Sequence, residues 1–144
     1  MDIAAALEFI RTNRNAVMMT RRADGRPQLS PVACGVDRDG RVVVSTRETA
    51  LKTKNLRRDP SVSLCVLSQG FYGDWIQIDG TAEVVALPAA MEPLVDYYRT
   101  VAGEHPDWDE YRQAMVRQGK SLLRITPKSW GPIATGGFPA RLAG

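Results

Sequence analysis

Residues 75–85 alternate in polarity with a period of two. Ile76, Ile78, Ala82 and Val84 share one parity, with Gly80 among them; Trp75, Gln77, Asp79, Thr81 and Glu83 share the other. Side chains on a strand point to opposite faces in turn, so this pattern predicts a long strand with one face against a core. Gly80 has no side chain to pack and marks a bulge or a sharp bend. A bend in a long strand is how a sheet curls toward a barrel. The chain must therefore supply further strands to close around this one.

It does so in short pieces. Residues 16–21, 27–36, 42–44, 61–67 and 121–126 read as strands. Ala23-Asp24-Gly25 and Asp39-Gly40 carry turn chemistry, because glycine accepts a positive φ and aspartate bonds the turn backbone. Three strands joined by such turns suggest an antiparallel meander at the N-terminal end. Helices are expected at 2–12, where Ile3, Leu7 and Ile10 share a face and Asp2 caps the start, and at 48–58, 89–102 and 107–118. Asp59-Pro60 ends the second helix, since a residue before proline avoids the α region. The 127–144 tail, with Pro127, Pro132 and Pro139, reads as irregular and suited to lie across a partner surface. The expected fold is a single α+β domain over residues 1–144, a split barrel of about six mostly antiparallel strands with inserted helices.

Composition narrows the function classes. At 144 residues with 44% hydrophobic side chains, the chain can bury a real core, which excludes a disordered segment. No apolar run approaches the ~20 residues of a membrane helix, and residues 1–4 begin no signal peptide. The expected location is cytoplasmic, without a membrane partner. Cys34 and Cys65 are too few for a disulfide framework and read as small core residues. One histidine, His105, does not make a metal centre, and no metal is expected. The net charge of +3 is mild. Aromatic residues, 7% of the chain, are not interleaved with the basic ones as a nucleic-acid stacking platform requires, so no nucleic-acid partner is expected. No GxGxxG or P-loop pattern is present.

The cations are clustered. Lys52, Lys54, Arg57 and Arg58 fall within seven residues. Such a cluster is either a solvated helix face or an anion site. Ahead of it, Asp24-Gly25-Arg26-Pro27-Gln28-Leu29-Ser30-Pro31-Val32 leads to a strand ending Ser45-Thr46; after it come Asp59-Pro60-Ser61-Val62 and Gly80-Thr81-Ala82-Glu83. In this order and spacing, the motifs resemble the pyridoxamine-phosphate-oxidase-like split β-barrel superfamily. More narrowly they are similar to its actinobacterial deazaflavin (F420)-dependent oxidoreductases, the FDOR-B group. Residues 101–116, from Val101-Ala102-Gly103-Glu104-His105-Pro106 to Met115-Val116, strengthen the narrower likeness.

The resemblance implies a homodimer with F420, or alternatively FMN, bound in a groove between two subunits. It implies an oxidoreductase that passes a hydride between reduced F420 and an unsaturated or carbonyl small molecule. The alternatives are an FMN-dependent oxidase or reductase of the same fold, or a non-catalytic F420-binding protein. By the same resemblance Lys52 holds the cofactor phosphate, and Lys54 reaches the phosphate or the tail carboxylates. Some relatives carry an arginine two residues before that lysine, where this chain has Ala50. Gln28, Ser30 and Pro31 would line the ring, although Gln28 also suits an ordinary exposed strand position and Pro31 an edge strand. Ser45 and Thr46 suit phosphate or ribityl oxygens, or helix capping. Trp75 faces the groove, the dimer seam or the core. Trp130 closes the site from the second subunit or anchors an interface. His105 reads as a loop residue, and no catalytic acid is assigned.

Overall fold

The computed structural model of the protein describes residues 1–136. The alternating segment is a strand over Asp74–Ala86, with Ile76, Ile78 and Ala82 buried on one side and Gln77, Thr81 and Glu83 exposed on the other. In chain order the elements are α1 (Ile3–Thr12), β1 (Asn15–Arg21), β2 (Pro27–Ala33), β3 (Gly35–Val36), β4 (Val42–Arg47) and α2 (Leu51–Arg58). They continue with β5 (Ser61–Leu67), β6 (Asp74–Ala86), α3 (Met91–Ala102), α4 (Trp108–Arg117), β7 (Lys120–Trp130) and β8 (Ala134–Thr135).

Neighbouring strands run in the order β2-β1-β5-β6-β7-β4-β3, every pairing antiparallel, and β8 adds to β6. The first and last strands of that path, β2 and β3, are separated in the chain by Cys34 alone. One residue spans at most ~3.6 Å. The two edges of the path must therefore come together, and the sheet curls into the expected α+β split barrel. The expected meander is present with its middle strand split at Cys34: the 27–33 part pairs with β1 and the 35–36 part with β4, and β4 pairs on its other side with β7. Local turn signals fix hairpins; they do not fix which strands become neighbours.

Gly80 does sit at an irregularity. The β6–β7 register steps from Asp79 opposite Ser129 to Gly80 opposite Pro127, which leaves Lys128 as the extra residue. A Cβ on Gly80 would lie 2.3 Å from the Thr126 carbonyl oxygen, so only glycine permits this close approach. The same bulge admits Pro127, which has no N–H for the ladder. The irregular tail is thus corrected over its described part: residues 127–130 continue β7, and β8 pairs with β6. Residues 137–144, with Pro139, lie outside the described residues.

Two apolar clusters follow from the alternation. Inside the barrel, Met18, Val42, Val44, Leu64, Val66, Ile76, Ile78, Leu123 and Ile125 meet Ala6, Leu7 and Ile10 of α1. Asp2 caps that helix by accepting the Ala4 N–H at 2.7 Å. Outside, Val43 and Leu122 pack against Leu94 and Val95 of α3 and Tyr111 and Met115 of α4. Cys34 is fully buried with its thiol pushed up to about 12 by burial. Cys65 is only half-buried; it alternates away from the buried Leu64 and Val66 and so does not belong to the core. No helix among the described residues is long and apolar enough to cross a membrane.

Candidate functional site

Helix α2 crosses one end of the barrel, and the chain seals it there with buried hydroxyls and an amide. The Thr46 and Thr53 hydroxyls share a hydrogen bond of 3.0 Å, and Thr53 also reaches the Arg47 carbonyl at 2.6 Å. Asn55, 1% exposed, donates to Thr20 Oγ1 at 3.1 Å; Thr20 in turn donates to Gln28 Oε1 at 3.2 Å. These bonds satisfy groups that would otherwise be costly to bury. They also fix the pose of α2 and place its first turn against β2. Lys52 Nζ then stands 3.4 Å from Ser30 Oγ, a long contact that leaves the ammonium short of strong partners.

Three cations converge at this corner. Arg47 and Lys120 are directly opposed in the β4–β7 register. Burial lowers the Lys120 pKa, and the positive charges of Arg47 and Lys52 lower it further. Burial also lowers the pKa of Lys52. The helix beside them begins at Leu51, and its N-cap, Ala50, has no capping side chain. The Thr53 and Lys54 amides bond the Ala50 carbonyl, which leaves the Leu51 and Lys52 amides to solvent or to a ligand, and the helix dipole favours negative charge. Partly desolvated ammonium groups beside an uncapped helix start are chemistry that suits an anion.

The expected site residues divide. Gln28, Ser30 and Lys52 come together. Ser30 lies opposite the buried Met18, so it and Gln28 face inward, whereas Pro31 is exposed on the outer side of β2, an edge of the strand path. Ser45 and Thr46 part company. Thr46 faces α2, while Ser45 has the parity of Val43, toward α3 and α4. Neither caps α2, so the capping reading is corrected; Thr46 is a buried tie to Thr53. Lys54 is exposed. Two residues on a helix are about 200° apart, so it does not share the Lys52 side. Arg57 pairs with Glu48 at 2.6 Å, and Arg58 reaches the Arg21 carbonyl at 2.7 Å and Asn55 Oδ1 at 2.9 Å. Both arginines are engaged in holding α2.

Trp75 and Trp130 lie elsewhere in the chain. Trp75 is paired with Leu67, at the far end of β5 from α2, roughly 20 Å along the strand. Trp130 packs against the barrel core and donates its indole N–H to the Met1 carbonyl at 3.0 Å. Within one chain neither adjoins Lys52. Sequence reasoning missed Arg47 and Lys120. Arg47 directly follows the Ser45-Thr46 pair and was legible as part of it; Lys120 joins only through the β4–β7 register, which no local signal carries.

Comparisons with known proteins bear on the fold. Residues 3–134 match the family described as pyridoxamine 5′-phosphate oxidase. Among solved structures, the fold is similar to that of a conserved hypothetical protein of Mycobacterium tuberculosis, at 23% identity and a TM-score of 0.74, with 95% of this chain and 93% of that one covered. It is similar to an F420 reductase at 15% identity and a TM-score of 0.67, over 86% and 94% of the two chains. A heme binding protein from Mycobacterium smegmatis also matches, at 18% identity and a TM-score of 0.66, over 91% of this chain and 58% of that one.

Proposed function

The chain belongs to the pyridoxamine 5′-phosphate oxidase family, and from that premise we propose that it is an F420-dependent oxidoreductase of the FDOR-B type. The observation that carries the proposal is the corner where Arg47, Lys52 and Lys120 gather beside the uncapped start of α2. Its donor set fits a phosphate, and a fold neighbour is an F420 reductase.

In this reading Lys52 and the first amides of α2 hold the phosphate, and Arg47 adds charge at the mouth. Gln28 is already committed through its carbonyl oxygen to Thr20, so its amide nitrogen, which reaches the Leu29 carbonyl at 3.3 Å, is the end offered to a ring edge. Arg47 and Lys54 are exposed and supply positive charge for tail carboxylates beyond the phosphate. When bound, the reduced cofactor supplies a hydride to an unsaturated or carbonyl small molecule.

The same reading makes the protein a homodimer. The outward faces of β1, β2 and β5 carry Val17, Met19, Leu29, Pro31, Cys65 and Leu67; α2 meets β1 on its inward side at Thr20, and α1, α3 and α4 pack chiefly against β3, β4 and β7. Leu29 is 62% exposed there. A second copy laid on this face would cover it and bring Trp75 or Trp130 of one chain toward the α2 corner of the other. The test is equilibrium binding of F420 and FMN to cofactor-stripped protein, followed by turnover with a panel of enones and ketones. Tight F420 binding with hydride transfer supports the proposal. Preferential FMN binding assigns the FMN alternative, and F420 binding without turnover assigns a carrier.

A further inference from the structure

A second pocket opens on the other side of β4 and β7, under α3 and α4. Its cavity is about 310 Å³, at the small end of ligand pockets, which run from roughly 300 to 1,000 Å³. Four of its lining residues carry rings, Tyr97, Tyr98, His105 and Tyr111, and the last three form one cluster. Their centroids lie 5.0–5.6 Å apart. They are held in place before any ligand arrives. Trp108 packs on all three at 5.5–5.8 Å, is fixed by its indole N–H to Glu104 at 3.1 Å, and carries the Arg99 guanidinium on its face at 4.7 Å. Tyr111 is tied by its hydroxyl to the Leu94 carbonyl at 2.9 Å.

The polar groups of this pocket are mostly donors. His105 Nδ1 accepts the Asp107 N–H at 2.9 Å, so the neutral ring carries its proton on Nε2. Ser45 and Lys120 line the pocket from the strands, and Lys120 is the one member of the three-cation corner that does. The acidic group on the wall, Glu110, is solvent-exposed. Donors, one ammonium and an aromatic wall complement a flat ring bearing a negative group.

We propose that this pocket binds a small planar aromatic carboxylate, its carboxylate on Lys120 and its ring against Tyr98, His105 and Tyr111. The pocket shares Lys120 with the three-cation corner but does not include Lys52, so the proposal names a second ligand beside the cofactor reading.

The test titrates the full-length protein with 2-naphthoate and with its neutral counterpart 2-naphthalenemethanol, by calorimetry and amide NMR. The expected result is saturable naphthoate binding with shifts centred on Tyr98, His105, Tyr111 and Lys120, and alcohol binding weaker by about tenfold or more. Lys120→Met should weaken naphthoate about tenfold, the loss expected of one charge-assisted contact. Lys120→Arg should restore most of it. Tyr98→Leu should cost about two- to tenfold, the worth of an aromatic pair. Lys52→Ala, which removes a charge near Lys120 but no pocket wall, should weaken naphthoate far less than Lys120→Met does while lowering cofactor affinity. The proposal is overturned by equal affinity for acid and alcohol, by an unchanged Kd in a Lys120→Met variant whose circular dichroism is native, or by shifts that map outside the pocket.

Discussion

Lys52 is the residue on which the phosphate reading turns, and its burial gives that reading a pH signature. Burial holds its folded pKa below the ordinary lysine value of 10.5. The charged form therefore strains the ligand-free fold below that lowered pKa, and the strain is relieved as pH rises through it. Phosphate binding does the opposite, since it needs the ammonium charged. Cofactor affinity should thus be flat near neutrality and fall as pH rises through the lowered pKa; an affinity that stays flat to pH 11 would remove Lys52 from the contact. Asn55 has a different role. It is 1% exposed and joins Thr20 to Arg58. Asn55→Ala should cost about 1–3 kcal/mol of stability by leaving Thr20 and Arg58 short of partners, read from urea unfolding. Of these residues, Lys52 was singled out by the family resemblance, since the local cation cluster before Asp-Pro by itself fits a solvated helix face as well as an anion site. The roles of Asn55 and Arg58 were not legible in the sequence, because both depend on residues about 35 positions earlier, Thr20 and Arg21.

At the scale of elements, the bulge between β6 and β7 couples Gly80 to Pro127. Gly80→Ala would press a methyl against the Thr126 carbonyl, with no flexible side chain to yield. The expected loss is about 1–3 kcal/mol, the usual cost of overpacking, seen as a lower urea midpoint with an unchanged slope. A midpoint equal to the wild type would mean that the bulge relaxes freely. The bend at Gly80 was readable because an alternating strand advertises its own interruption. The extension of β7 to Trp130 was not, since Pro127 reads as a terminator until the bulge that tolerates it is known. Helix bounds moved for a similar reason: α2 begins at Leu51 rather than at 48, because Glu48 is drawn to Ser121 and Arg57.

At the scale of the whole molecule, one chain holds a cation corner at the α2 end of its barrel and keeps its two candidate tryptophans away from it. The uncovered face around Leu29 accounts for that separation if two copies share each site. Leu29→Glu places a charge where a partner would bury it, at little cost to the separate chain, since Leu29 is 62% exposed there. The dimer dissociation constant should rise about tenfold or more, measured by sedimentation equilibrium; a wild-type protein that is monomeric at micromolar concentration would contradict the shared site. Barrel and helices were legible because alternation, turn residues and helical spacing are local. The strand order and the convergence of Arg47, Lys52 and Lys120 were not, because both arise from pairing between distant segments. The most direct check of the central claim, that this corner holds a deazaflavin phosphate, is a parallel titration of F420 and FMN into cofactor-stripped wild type and Lys52→Ala at low salt. The account predicts tighter F420 than FMN binding in the wild type, and a loss of about 10–150-fold in Lys52→Ala, with the F420 advantage shrinking as salt screens the exposed charges. F420 affinity that is the same in both proteins, or no F420 binding at all, would contradict it.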